Sequence, residues 1–292
     1  SMTITAKMVK DLRDITGVGM MDAKKALVEA NGDFDSATDW LRQKGLAKAQ
    51  KKSGRIAAEG LIGIKVGNNT TTLLEANCET DFVARNEEFQ DMINNILNNS
   101  VGKKTLNEIL NSSIKGRTVD EILIEKVSSI GEKISLRRMH IISGKYVGFY
   151  IHNSVSENLG KIGVAVSLSE DNVTLAKQIA MHIAASNPLA LSEENLSEEL
   201  MKKEEKLYFE QARETGKPDN IIDNMVKGKL KKFVSEVTLL NQNFVIDPDF
   251  TINEILKKNN NSILNYVRFQ VGEGIEKITE DFAEEVMKSI SS

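Results

Sequence analysis

Apolar positions near the start of the chain recur at helical spacing: Met8, Leu12 and Ile15 on one stretch, then Ala23, Ala26, Leu27 and Ala30 after the break "TGVGM". "NGD" supplies a stop at Gly32 and a new N-cap at Asp33, ahead of Phe34, Ala37 and Leu41. These segments predict a three-helix module ending near Gly45. Residues 44–55, "KGLAKAQKKSGR", are rich in Lys and poor in large apolar side chains, and read as an exposed linker, helical at its start.

The period then changes. "LIGIKV" and "TTTLLEAN", separated by Gly67-Asn68-Asn69, have the β-rich composition and turn residues of a hairpin. Phe89, Met92, Ile93, Ile96 and Leu97 form a helical stripe with Asn86 as N-cap, and Glu87 and Glu88 suit the positive end of that helix. A second cycle follows: "TVDEILIEKVSSIGE" predicts a helix, "KISLRRMHII" a strand, "YVGFYI" with "KIGVAVSLS" a second hairpin, and "DNVTLAKQIAMHIAAS" its helix. Strand, turn, strand, helix thus occurs twice, which predicts two related α+β halves. Between 192 and 241 the chain is charged and helical, and Gly216-Lys217-Pro218 divides it into two arms of a hairpin. Leu196, Leu200, Leu207, Ile221, Met225 and Leu230 could close that hairpin or form a homodimer, and simple closure is the expectation. A helix at "TINEILKKN", a strand at "ILNYVRFQV" and a last helix at "EDFAEEVMKSI" complete the pass.

The resulting expectation is an α+β fold with antiparallel sheets in these units: 1–55, helical domain and basic linker; 56–142, first core subdomain; 143–191 with 242–274, second core subdomain; 192–241, inserted hairpin; 275–292, C-terminal helical module.

Composition narrows the function more than it defines it. With 38 Lys and Arg against 42 Asp and Glu the formal charge is −4, so no global positive field draws the chain to nucleic acid or an anionic membrane. The start has no apolar core of signal-peptide length and no run approaches the roughly 18 apolar residues of a membrane span, so a cytoplasmic protein is expected. The single cysteine, Cys78, precludes an internal disulfide and reads as a small apolar filler. His140, His152 and His182 are widely separated, which argues against a metal site; His182, flanked by Ile179, Met181 and Ile183, reads as a packed helix histidine, and His152 as a hydrogen-bonded strand end. No phosphate-binding Gly-Lys loop, dinucleotide fingerprint or nucleophile elbow is present, and "VGEGIEK" lacks the spacing of either glycine motif. No cofactor is expected. What stands out is "EANCETDFVARNEEF", where a carboxylate and a large aromatic, Asp81 and Phe82, sit side by side between a strand and a helix. A protein that acts by binding another protein fits this pattern.

The chain resembles the bacterial elongation factor Ts family, through "LRDITGVGMMDAKKAL" (12–27), "NCETDFVAR" (77–85), "IGEKISLRR" (130–138), "IAMHIAASNP" (179–188) and "VGEGIEK" (271–277). The resemblance implies a ubiquitin-associated-like N-terminal domain and a factor, not an enzyme, that binds elongation factor Tu and promotes exchange of GDP for GTP. It implies that the N-terminal domain, first core subdomain and C-terminal module grip the partner's GTPase domain, while the second subdomain reaches its third domain. It places the disturbance of the partner's Mg²⁺ and phosphate site at Thr80, Asp81, Phe82 and Val83. Further contacts carried over are Met20, Met21 and Lys24, Ile130 and Gly131, and His152. The chain departs from the family pattern at Ala76, in the long loop at 153–161, and in "NQNFV", which lacks a proline before its aromatic. A binding or stabilising partner without exchange activity is the alternative; a hydrolase built from scattered carboxylates lacks a nucleophile, metal set or phosphate loop.

Overall fold

The computed structural model describes residues 3–276 together with Met287, Ser289 and Ile290; the last helix expected from the sequence lies largely outside the described residues. The N-terminal module comprises α1 (Ala6–Thr16), α2 (Met20–Glu29) and α3 (Phe34–Lys52). Thr5 caps α1 by accepting the Met8 N–H, and Asp33 caps α3 by accepting that of Ser36. Val9, Leu12, Ala23, Ala26, Leu27 and Ala37 form its small core. Ile15 departs from the expected stripe and is exposed, because the buried side of α1 runs through Val9, Leu12 and Thr16.

The segment expected to be a linker is not a tether. Helix α3 runs through to Lys52 and lies against the core: Gly45 is buried, a Cβ there would stand 3.5 Å from Ile124 Cγ2, and Ala49 packs on the first core cluster. Two small residues one turn apart let the backbone approach closely, while the lysines around them lie at the surface, Lys44 paired with Asp22.

The first half of the core contains β1 (Glu59–Val66) and β2 (Thr70–Cys78), paired antiparallel with Val66 opposite Thr71. After β2 come α4 (Asp81–Ala84), α5 (Glu87–Asn99) and α6 (Leu106–Asn111), then a minimal hairpin of β3 (Ser113–Ile114) and β4 (Arg117–Thr118), then α7 (Val119–Ile130) and β5 (Ser135–Ser143). The second half contains β6 (Tyr146–His152), β7 (Leu159–Gly160), β8 (Ile162–Leu168) and α8 (Val173–Ser186). The hairpin helices α9 (Glu198–Arg213) and α10 (Asp219–Val237) follow, then β9 (Asn243–Phe244), β10 (Asp247–Thr251), α11 (Ile252–Lys258) and β11 (Ile263–Gln270).

The sheet orders are β5-β2-β1-β7 and β11-β8-β6, so the fold is α+β with antiparallel sheets, as expected. The internal repeat also extends further than the sequence pattern showed. In each half two long strands pair, β1 with β2 and β6 with β8, helices follow, and a later strand, β5 or β11, returns to the free side of β2 or β8. In each half, too, a glycine on the first strand admits a helix: a Cβ at Gly63 would lie 2.6 Å from Leu97 of α5, and one at Gly148 2.6 Å from the Lys177 nitrogen of α8. The stripe from Phe89 to Leu97 is buried as expected, with Asn86 accepting the Glu88 N–H.

Hairpin closure differs in detail from the sequence expectation. Ala212, Ile222 and Val226 form the buried cluster between the arms, flanked by Tyr208, Phe209, Met225 and Leu230, whereas Leu207 and Ile221 face out. Pro218 starts α10 and Gly216 turns the chain at φ +70°, a phase that points Ile222, Val226 and Leu230 at α9. Ile221 is one residue, or about 100° of helix, away from that face.

His182 is packed, as its surroundings implied. The Val245 N–H donates to Nδ1 at 3.1 Å, so the ring proton sits on Nε2, which faces Gln242 Oε1 at 2.8 Å. Burial lowers its pKa, partly offset by the Gln242 bond, and the ring is a neutral link between α8 and the β9-β10 hairpin.

Candidate protein-contact corner

Strand β2 ends at Cys78, whose buried thiol donates to the Thr80 carbonyl at 3.2 Å; burial pushes its pKa up to about 12, which leaves it a neutral filler. The next residues are held from outside. Glu132 Oε1 accepts the Glu79 and Thr80 N–H groups at 3.0 and 3.1 Å, and its Oε2 accepts the Thr80 hydroxyl at 2.8 Å. Glu79 answers by accepting the Lys133 N–H at 2.7 Å. Two carboxylates thus satisfy each other's turns across 52 to 54 residues of chain. Gly131 makes this approach feasible: it ends α7 at φ +87°, in the left-handed region, with its N–H on the Val127 carbonyl.

Thr80 also caps α4, accepting the Val83 N–H at 3.4 Å. A helix of four residues has no independent stability. Its orientation comes from its side chains: Ala84 is buried and Val83 is half-buried against the first core cluster. Asp81 Oδ1 accepts from Lys161 Nζ at 2.7 Å and Oδ2 from Arg85 Nε at 2.8 Å. The Lys161 ammonium is the main cause that holds the Asp81 carboxyl below its ordinary range. Phe82 has no such inward partner and is 88% exposed, more than any other large hydrophobic among the described residues. The resemblance places both members of the pair at the partner; in the structure Asp81 is held at the surface by ion pairs to Lys161 and Arg85, and Phe82 is presented without a partner.

The other site residues expected from the sequence are dispersed. Met20 and Met21, at the start of α2, are 60% and 79% exposed and so do not fill the small helical core; Lys24 is exposed one turn on. Ile130 packs partly buried on the first core cluster and Gly131 is exposed beside Glu132. His152, at the end of β6, is exposed with Nδ1 3.0 Å from the Tyr150 hydroxyl.

Sequence reading missed Glu132 and Lys161, although Glu132 stands inside "IGEK" and Lys161 closes the long loop. It also missed Glu75. That carboxylate is fully buried and accepts from Arg137 Nη2 at 2.7 Å, Arg138 Nε at 2.6 Å, Asn77 Nδ2 at 2.8 Å and the Gly272 N–H at 2.8 Å. Burial alone would raise its pKa; the Gly272 and Asn77 bonds and the two guanidiniums outweigh this and lower it. Gly272 sits at φ +75°, and a Cβ there would lie 2.4 Å from the Ala58 carbonyl oxygen. "VGEG" is therefore a backbone turn locked onto a buried ion pair.

Among the described residues no cluster of three or more His, Cys, Asp or Glu is arranged to hold a metal, and no helix is long and apolar enough to cross a membrane. A cavity of about 190 Å³ lies between the N-terminal module and α7, lined by Ile15, Leu41 and Ile124. The charges on its wall are already paired, Arg42 with Glu121 and Arg117 with Glu125 and the Thr16 carbonyl, which makes it a seam between modules.

The family model described as "Elongation factor TS" matches residues 79–273, which begin at the corner and end at the Gly272 turn. Similar proteins named elongation factor Ts include that of Paracoccus denitrificans, 51% identical over 292 residues with 99% of each chain covered. That of Dinoroseobacter shibae is 50% identical over 290 residues, covering 99% of this chain and 100% of the relative, and that of Jannaschia sp. is 48% identical with 99% of each covered. The chain belongs to the elongation factor Ts family of translation elongation factors.

Proposed function

We propose that the protein binds elongation factor Tu in its GDP form and accelerates GDP release, by binding alone and in the cytoplasm, so that GTP can enter. The observation that carries this reading is Phe82: a large aromatic, 88% exposed, on a one-turn helix whose other side chains are anchored. An unanchored surface aromatic would rotate away on contact. Here the backbone from which Phe82 projects is held by Thr80, Asp81 and Val83, so the aromatic leaves the surface in a set direction, as a residue that enters a partner's apolar slot must.

A GTPase holds GDP through a backbone cradle around its phosphates and through Mg²⁺, which demands near-octahedral oxygen ligands at short distance. Small displacements of the elements that carry those ligands therefore cost binding energy steeply. In this reading Phe82 makes the displacement, Val83 backs it, and Thr80 and Asp81 hold the stub from which it projects. Linkage requires that whatever binds the nucleotide-free partner more tightly weakens GDP by the same factor, and the reverse. Burying one Phe is worth about 1.5 to 3 kcal/mol, so Phe82 needs a wide grip behind it. The exposed Met20, Met21 and Lys24 on the N-terminal module, Ile130 and Gly131 beside the corner, and His152 on the second half are the proposed parts of that grip.

The test is release of fluorescent GDP from elongation factor Tu at rising concentrations of this protein. The expected result is a release rate that climbs and saturates. Complex formation with no change in that rate would replace this reading with the binding or stabilising partner.

A further inference from the structure

Lys161 stands where four segments of the chain meet. Its N–H donates to the His152 carbonyl at 3.0 Å, at the end of β6, and its carbonyl accepts the Val271 N–H at 2.9 Å, at the C-terminal turn. Its Nζ donates to the Gly60 carbonyl at 2.9 Å, on β1, and to Asp81 Oδ1 at 2.7 Å, on α4. The two residues before it, Leu159 and Gly160, are zipped onto β1 opposite Gly63 and Ile62. The loop that delivers Lys161 is therefore fixed at its far end, and the lysine side chain is only a quarter exposed.

Successive helix residues point about 100° apart. Whatever fixes Asp81 on α4 also fixes the heading of Phe82. The Glu132 clamp holds the entry to α4 by its backbone and by the Thr80 hydroxyl, and leaves rotation about the stub's own axis to the side chains on it. Of these, Asp81 makes the polar link to the second half of the core.

We propose that Lys161 is a positioning residue for Phe82: by holding Asp81 against β1 it sets the angle of the aromatic, and it joins that angle to the end of β6 and to the Val271 turn. A partner that presses on the second half of the core then acts on Phe82 through one side chain. This inference rests on the reading of Phe82 as the group that releases nucleotide, and its first readout does not need that reading.

The experiment uses the full chain with Lys161→Met, which keeps the stem and removes the charge, and with Lys161→Arg. Amide hydrogen exchange in the free protein should accelerate about tenfold at residues 82–85 in Lys161→Met, while residues 71–78 of β2 stay protected. The maximal GDP release rate from elongation factor Tu should fall roughly tenfold, with the half-saturating concentration changed less than about threefold, as expected when geometry and not contact area is lost. Lys161→Arg should restore both. Asp81→Asn should copy Lys161→Met, and the double variant should be no worse than either alone. Unchanged exchange at 82–85, or an unchanged maximal rate with a raised half-saturating concentration, would overturn the positioning role. If exchange at 82–85 rises as expected while the parent protein does not speed release, Lys161 holds α4 and the nucleotide-exchange reading is what fails.

Discussion

The two halves of the core solve the same local problem with different chemistry. In each, a turn ahead of the returning strand reaches across to the end of the strand it will pair with, β2 or β8, and satisfies the backbone there. In the first half this is Glu132, accepting from the nitrogens of Glu79 and Thr80; in the second it is Asn261, whose Oδ1 accepts the Glu170 N–H at 3.0 Å and whose Nδ2 donates to the Glu170 carbonyl at 3.1 Å. A left-handed residue precedes each clamp, Gly131 at φ +87° and Asn260 at φ +49°. The neutral amide clamp leads directly into α8. The carboxylate clamp leads into the extra turn α4 and its outward Phe82. The bond lengths of the two clamps match, but a bond to an ionised carboxylate is the stronger kind, and that clamp occurs where the chain presents an aromatic side chain to solvent. At this shared turn the difference between the halves comes down to a few residues.

The largest effect on this comparison should come from Glu75, a buried residue that joins the halves. Glu75→Ala strands two guanidiniums and the Gly272 N–H, and should cost about 3 kcal/mol in urea unfolding, since the arginines are partly solvated and recover some hydration. The lowered pKa of Glu75 gives a sign as well. Its stabilisation is complete above the ordinary glutamate pKa and is lost as the pH falls through the lowered folded value. The acid limb of the stability curve should therefore flatten in the variant.

The two clamps can then be compared directly. Glu132→Ala should cost about 1 to 2 kcal/mol and also lower the maximal GDP release rate, whereas Asn261→Ala should cost about 1 kcal/mol and leave that rate unchanged. Equal effects of the two on release would erase the functional distinction between the halves. The smallest effect concerns His182, in the second half alone. Because its folded pKa is lowered, the unfolded chain takes up the proton first, and stability falls as the pH drops below the ordinary histidine value of about 6.5. His182→Asn, whose amide oxygen can still accept the Val245 N–H, should remove that one-proton slope.

Much of this was legible in the amino-acid order. Both hairpins, the stripe from Phe89 to Leu97 and the caps at Asp33 and Asn86 rest on local periodicity and local side-chain chemistry, which a short window contains. The docking of α3 was not legible, because its contacts are Gly45 and Ala49, which carry no hydropathic signal among lysines. Hairpin closure slipped by one residue because apolar side chains occupy both Ile221 and Ile222, and only the turn at Gly216 and Pro218 decides between them. The unusual character of "TDFV" could be seen, but not the division of labour within it. Glu132 and Lys161 reach the corner from 52 and 80 residues away, and no spacing rule links them to it.

The central claim is that Phe82 displaces while its neighbours hold. The most direct measurement is the GDP release rate from elongation factor Tu at saturating Phe82→Ala beside the parent protein. The account predicts a rate roughly ten- to hundredfold lower with complex formation retained, the loss of one buried aromatic's worth of work, and unfolding stability within about 0.5 kcal/mol of the parent. A Phe82→Ala protein that releases GDP as fast as the parent at saturation would contradict it.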